Sequence, residues 1–199
     1  MKTENAWRAA YRFTITVTGK TAPADKPQQG SDAVLAAAAV VMALQSLVSR
    51  VNNPENTLVV TTGMMNGGST DAVIAGKTEL VGTVRTFNKE FRKGMPQLID
   101  DIAKKAALTY GCEVSSTYFF GPAPLINEHH DLNEIARKAA VKIMGEGCLS
   151  HLDKMTGAED FRYLWKKPKA CMALSAYATL PKGSTACITT PNLLWMRTS

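Results

Sequence analysis

The stretch Thr78–Phe87, TELVGTVRTF, constrains the fold most. Leu80, Gly82, Val84 and Thr86 fall on one side and Glu79, Val81, Thr83, Arg85 and Phe87 on the other, the period-two layout of a strand, predicted here to be an inner one. Upstream, Leu58-Val59-Val60-Thr61-Thr62 is a second β-branched run, with Gly63, Gly67, Gly68, Asp71 and Gly76 between the two. Those residues supply turns and positive φ. The two runs are therefore predicted to form a hairpin with a long tip.

The rest of the chain supplies partners for that hairpin. Tyr11–Thr18 alternates, with Phe13, Ile15 and Val17 inward and Arg12, Thr14, Thr16 and Thr18 outward, as in a half-buried strand. After a loop over Gly19–Gly30, Ser31 or Asp32 caps a helix from Ala33 to about Val51 that is apolar nearly all round. Such a helix covers a sheet and also meets another surface, such as a second subunit. Asn52, Asn53 and Pro54 stop it. Lys89–Tyr110 repeats Phe91, Met95, Leu98, Ile102 and Leu108 at helical spacing, with Pro96 expected to kink or delay the first turns and Gly111 to cap the end. Glu113–Phe120 makes a fourth strand. The order β-α-β-β-α-β predicts an α/β chain with a ferredoxin-like domain, both helices on one face of a four-stranded antiparallel sheet.

Beyond Pro122 and Pro124 the pattern changes. Leu132–Met144 reads as an amphipathic helix, a short helix begins near Glu159, and one strand is expected between Pro168 and Ser175. These elements cannot bury their apolar faces alone, so residues 125–199 read as part of a larger α/β domain.

Composition narrows the partners. The net charge of +6 would allow acidic partners if it were focused on one face. The densest basic stretch, Arg162, Lys166, Lys167 and Lys169 with Tyr163 and Trp165 between, reads as a solvated element end rather than a nucleic-acid patch. An RNA-binding sheet of this topology needs exposed aromatics on its two central strands, whereas the third strand here has no interior aromatic and Tyr11 and Phe13 are the only ones on the first. No nucleic acid is expected. The four cysteines, Cys112, Cys148, Cys171 and Cys187, are too far apart for a metal knuckle, and Met1–Ala10 is polar, so free thiols in the cytoplasm are the expectation. The apolar run Ala33–Leu44 falls short of the roughly 18 residues of a membrane span, and no membrane partner is expected.

Four segments carry a resemblance: RFTITVTGK (Arg12–Lys20), GTVRTF (Gly82–Phe87), PLIN with the following helix (Pro124–Met144), and KMTGAEDFRYL (Lys154–Leu164). Together they resemble the dinuclear metallopeptidases of family M-twenty, in the aminoacylase-like amidohydrolase branch with hippurate hydrolases and indole-acetyl-amino-acid hydrolases. The resemblance implies an inserted ferredoxin-like lid that also pairs subunits. It further implies two divalent metals, zinc or manganese, a glutamate general base, and an amide of an amino acid as substrate. On this basis residues 1–10 are a frayed lead-in, 11–121 the lid or dimerisation domain, 122–174 a partial C-terminal half of the catalytic domain, and 175–199 an aberrant tail.

The resemblance also sets expectations for the site. The family's metal clusters would lie ahead of residue 11, so the chain is expected to be truncated, to bind no metal of its own, and to be inactive alone unless an upstream-encoded half is supplied. His129, His130 and His151 read as surface histidines. Pro23 occupies the position of the family's lid histidine, and Ala72 that of the asparagine that grips the substrate carboxylate; neither substitute can donate a proton or hold an oxyanion. Ala75 replaces a proline. Glu159 and Asp160 in GAEDF are the site-lining candidates, equally readable as a helix-capping pair. Arg85 could meet a carboxylate, though a strand arginine is commonly a solvated cross-strand partner. In the tail, a shifted reading frame near Leu174–Ala176 would permit the family's arginine-asparagine-proline turn and histidine-bearing stretch, and the nucleotide sequence tests this. The alternative function is a dimerisation scaffold, or a small-ligand or RNA-binding ferredoxin-like module.

Overall fold

The period-two runs become the long strands of one sheet. In chain order the computed structural model contains β1 (Ala6–Trp7), β2 (Ala9–Thr18), β3 (Ala22–Pro23), α1 (Ala33–Leu44), β4 (Leu58–Gly67), β5 (Val73–Ile74), β6 (Lys77–Thr86), α2 (Lys89–Leu108), β7 (Glu113–Phe120), β8 (Leu125–Ile126), α3 (His130–Met144), β9 (Ala173–Leu174) and β10 (Leu193–Leu194). It describes residues 6–7, 9–121, 125–126, 130–146, 173–174 and 193–194. These fall in two compact units, one holding β2 to β7 and the other α3 with β8, β9 and β10.

The first unit is a four-stranded antiparallel sheet in the order β4-β6-β2-β7, with α1 and α2 packed on the sheet and on each other. This is the ferredoxin-like topology, and β6 is an inner strand as its alternation predicts. Tyr11, Phe13, Ile15 and Val17 are buried beside Thr78, Leu80, Val84 and Thr86. Phe13 is central: its register partners are Gly82 on β6 and Tyr118 on β7. A Cβ on Gly82 would collide with the Phe13 ring and the Thr61 carbonyl, so glycine is what lets the ring lie across β6. On β4 the register slips between Thr62 and Met64, leaving Gly63 as an extra residue in a bulge.

α1 is capped by Asp32, whose Oδ1 accepts from the Val34 and Leu35 amides at 2.9 and 3.1 Å. Its sheet face buries Ala33, Ala36, Ala37, Val40 and Leu44. A π-type turn over Leu47–Val51 continues it, where the sequence led us to expect α-helix. The helical stretch Ala33–Val51 is thus 19 residues long with mean hydropathy 1.9. By length and composition it could cross a membrane, which corrects the count that stopped at Leu44. A core helix has the same composition, and this one lies on the sheet.

α2 starts at Lys89 with Asn88 as its cap, the Asn88 Oδ1 accepting from the Phe91 amide at 2.9 Å. Pro96 sits in its interior and does not delay the start. Its buried stripe is Met95, Ile99, Ala103 and Ala107, spaced by four. Leu108, expected inward, is exposed because it lies one residue, about 100° around the helix, beyond that stripe. Gly111, at φ +66, turns the chain out of the helix as predicted.

Polar residues at the same spacing join α2 to β7. The Tyr118 hydroxyl lies 2.6 Å from Asp100 Oδ1 and 3.1 Å from the Pro96 carbonyl. The Arg92 guanidinium lies over the Phe120 ring, 5.2 Å from its centroid, and donates to the Gly121 carbonyl at 2.7 Å. Tyr118→Phe removes the donor to a half-buried carboxylate and is expected to cost about 1–3 kcal/mol, read as a lower urea midpoint at unchanged slope.

Tyr11 packs edge-on to Tyr118 at 6.2 Å and beside Phe120 at 5.1 Å. Burial raises the Tyr11 phenol well above its usual 10.0, the Tyr118 charge adding and Arg92 opposing. Burial also raises Tyr118, reinforced by Asp100 and opposed by Ser116. Above about pH 10 the unfolded chain loses phenolic protons that the folded one keeps, so stability falls as pH rises. In an alkaline titration followed by phenolate absorbance, these two tyrosines are expected to ionise only with unfolding.

In the second unit, α3 buries Leu132 and Asn133, and β9 pairs antiparallel with β10, Leu174 opposite Leu193. β9 falls inside the stretch Pro168–Ser175 where a strand is expected.

Candidate functional site at the hairpin tip

The loop after β2 and the tip of the β4–β6 hairpin, both read as irregular in the sequence, form a small ribbon of their own. β3 pairs with β5 antiparallel, Ala22 opposite Ile74 and Pro23 opposite Val73. The Ala24 amide donates to the Ala72 carbonyl at 3.0 Å. Pro23 and Ala72, some fifty positions apart in the sequence, are thereby brought together on an exposed surface.

The ribbon is tied to the sheet and to α1. The Gly19 amide donates to the Gly76 carbonyl and the Ala33 amide to the Ala75 carbonyl, each at 2.9 Å, while Lys20 and Ser31 exchange bonds of 3.0 and 2.9 Å. A Cβ on Gly76 would press on Thr21. The charged side chains here, Asp25, Lys26, Asp71 and Lys77, are all exposed. Neither Pro23 nor Ala72 offers a side chain that can move a proton or bind an oxyanion.

The other candidates lie elsewhere. Arg85 is half-buried on the face of the sheet away from the helices, opposite Ala10 and Val59. It stands eight residues along β6 from Lys77, about 26 Å at strand rise, and so belongs to a different end of the domain. Glu159 and Asp160, the short helix expected there, His129, His151 and the tail beyond Leu174 except β10 lie outside the described residues. His130 opens α3. Cys112 is a buried free thiol whose pKa is raised by burial and, secondarily, by the Asp32 carboxylate, so it is a poor nucleophile. Cys148, Cys171 and Cys187 lie outside the described residues. Arg92 and Asp100 were not singled out from the sequence; their i, i+8 spacing with Pro96 between them on one stripe of α2 was the available signal.

A model of the peptidase dimerisation domain matches residues 5–111, more than half of the chain. The chain belongs to that family. The chain is similar to parts of longer proteins: N-acetyl-L-cysteine deacetylase of Bacillus subtilis is 31% identical over 166 residues, 82% of this chain and 38% of that protein. IAA-amino acid hydrolase ILR1-like 2 of Arabidopsis thaliana is 30% identical over 154 residues, 76% and 35%. Among solved structures, the YXEP protein of Bacillus subtilis, described as a dinuclear metal binding peptidase, is 25% identical with a TM-score of 0.61, covering 83% of this chain and 42% of its own. The chain spans about two fifths of the length of the relatives it matches first. These relatives place the family among metal-dependent amidohydrolases and peptidases. Among the described residues no group of three or more His, Cys, Asp or Glu is placed to hold a metal ion. The described residues therefore do not fit the two divalent metals that the resemblance implies.

Proposed function

We propose that the chain is the pairing lid, with part of the catalytic domain over residues 122–174, of a metal-dependent amidohydrolase acting on N-acyl amino acids. In this reading it is a homodimer, and the 199 residues alone do not hydrolyse such amides. The observation that carries the pairing role is the outer face of α1. Opposite its buried stripe stand Leu35, 52% exposed, and Met42, 74% exposed, flanked by Val34, Val48 and Val51. An apolar face of this kind on a dimerisation-domain fold is what a second copy would cover.

The inactivity rests on Pro23 and Ala72, the residues at the two lid positions to which the resemblance assigns carbonyl polarisation and carboxylate binding. Sedimentation of the purified chain tests the first claim, with self-association expected and a strictly monomeric chain overturning it. An assay with N-acetyl amino acids and added zinc or manganese tests the second. Turnover with stoichiometric metal retained would overturn it.

A further inference from the structure

β7 is the border strand opposite β4, and its outer side has no partner among the described residues. Natural sheets blunt such borders with lysine, proline, bulges or a covering element. β4 has its bulge at Gly63. β7 has none of these: Val114–Phe120 is uncharged, free of proline and glycine, and regular in its pairing with β2, and Phe119 is 74% and Phe120 47% exposed.

The direction of its free backbone groups follows from the existing ladder. The Gly121 amide donates to the Ala10 carbonyl, so 10 and 121 form a closely bonded pair. In antiparallel pairing such pairs recur at every second position. Phe119, Thr117, Ser115 and Glu113 therefore bond toward β2, and Val114, Ser116, Tyr118 and Phe120 present their N–H and C=O groups outward.

We propose that this border takes a second copy of itself, antiparallel about a two-fold axis at Thr117. Of the self-pairings with the helices of both copies on one face, this one uses every outward-facing residue: Val114 opposite the second copy's Phe120, and Ser116 opposite its Tyr118. On the open face Ser115 meets Phe119 and Thr117 meets Thr117. Aromatic–aliphatic and threonine–threonine pairs are favourable across strands. The one charge, Glu113, falls opposite Gly121, so no like charges oppose. Self-complementarity is the reason to assign a second copy rather than an unrelated peptide. The contact is distinct from the α1 face, and the two together would give assemblies larger than a dimer.

The test uses the full chain carrying Leu35→Glu and Met42→Glu, which removes the α1 contact. Sedimentation equilibrium of that protein is expected to show a concentration-dependent dimer. Thr117→Lys and Thr117→Glu, each added separately, place like charges face to face on the axis and are expected to halve the mass, with the far-ultraviolet spectrum unchanged because Thr117 is exposed. Mixing the two is expected to restore the dimer. A parent that is monomeric at every concentration, charge variants that assemble like their parent, or a mixture that stays monomeric would each overturn the proposal. So would β7-dependent capture of a foreign peptide by a chain that never self-pairs. Failure of the α1 dimer leaves the β7 result readable by itself.

Discussion

In chemical denaturation, Gly82→Ala is expected to lose about 3 kcal/mol, at the upper end of the usual overpacking range. The added methyl points into the Phe13 ring on one side and the Thr61 carbonyl on the other. Phe13 is fully buried and held between β6 and β7, so it has no vacant direction in which to swing. A loss of that size corresponds to a fall in Tm on the order of 10–20 °C for a domain of this length. Phe13→Leu withdraws the ring atoms that the methyl would strike, at a cost of its own. The two substitutions together are expected to be less damaging than their sum, with a coupling of about 1 kcal/mol or more. Strict additivity would mean that the collision with Thr61 alone sets the penalty.

The second large effect concerns association. In a Thr117→Lys background, where β7 cannot pair, Leu35→Glu with Met42→Glu is expected to raise the dimer dissociation constant about 100-fold or more, because both side chains lie on an apolar, uncovered face of α1. In a symmetric contact the introduced carboxylates would stand near their own copies, adding repulsion to lost burial. Leu47→Glu would not be an equivalent test, since Leu47 is fully buried on the sheet side and its loss would unfold the domain. In that background, a double variant that remains a dimer at the concentrations where the Thr117→Lys protein does would place the pairing surface elsewhere.

Much of this architecture is legible in the sequence where a short-range period governs it. β2 and β6 alternate cleanly, and each alternation maps onto one buried and one open face. The paired helices follow from their caps and stripes. What was not legible depends on contacts between distant residues. β3 and β5 are two residues each, too short for any period, and exist because two loops meet. The polar stripe of Arg92 and Asp100 reads as solvent-facing by composition, and only the neighbouring β7 turns it into a partly buried seam. Leu108 reads as part of the helical repeat with Phe91, Met95, Leu98 and Ile102, although the spacing by four from Met95 to Ala107 excludes it. At the site, Pro23 and Ala72 were found through the resemblance, because a proline and an alanine carry no chemical signal themselves. Their adjacency came from the structure.

The bond from the Ala33 amide to the Ala75 carbonyl has a mechanical consequence. It joins the ribbon to the first turn of α1, two residues before Leu35. A push on the ribbon must either break that bond or drag the start of the helix along with it, so the Ala33 amide is a built-in strain gauge. Its hydrogen-exchange rate reports how often the two part company.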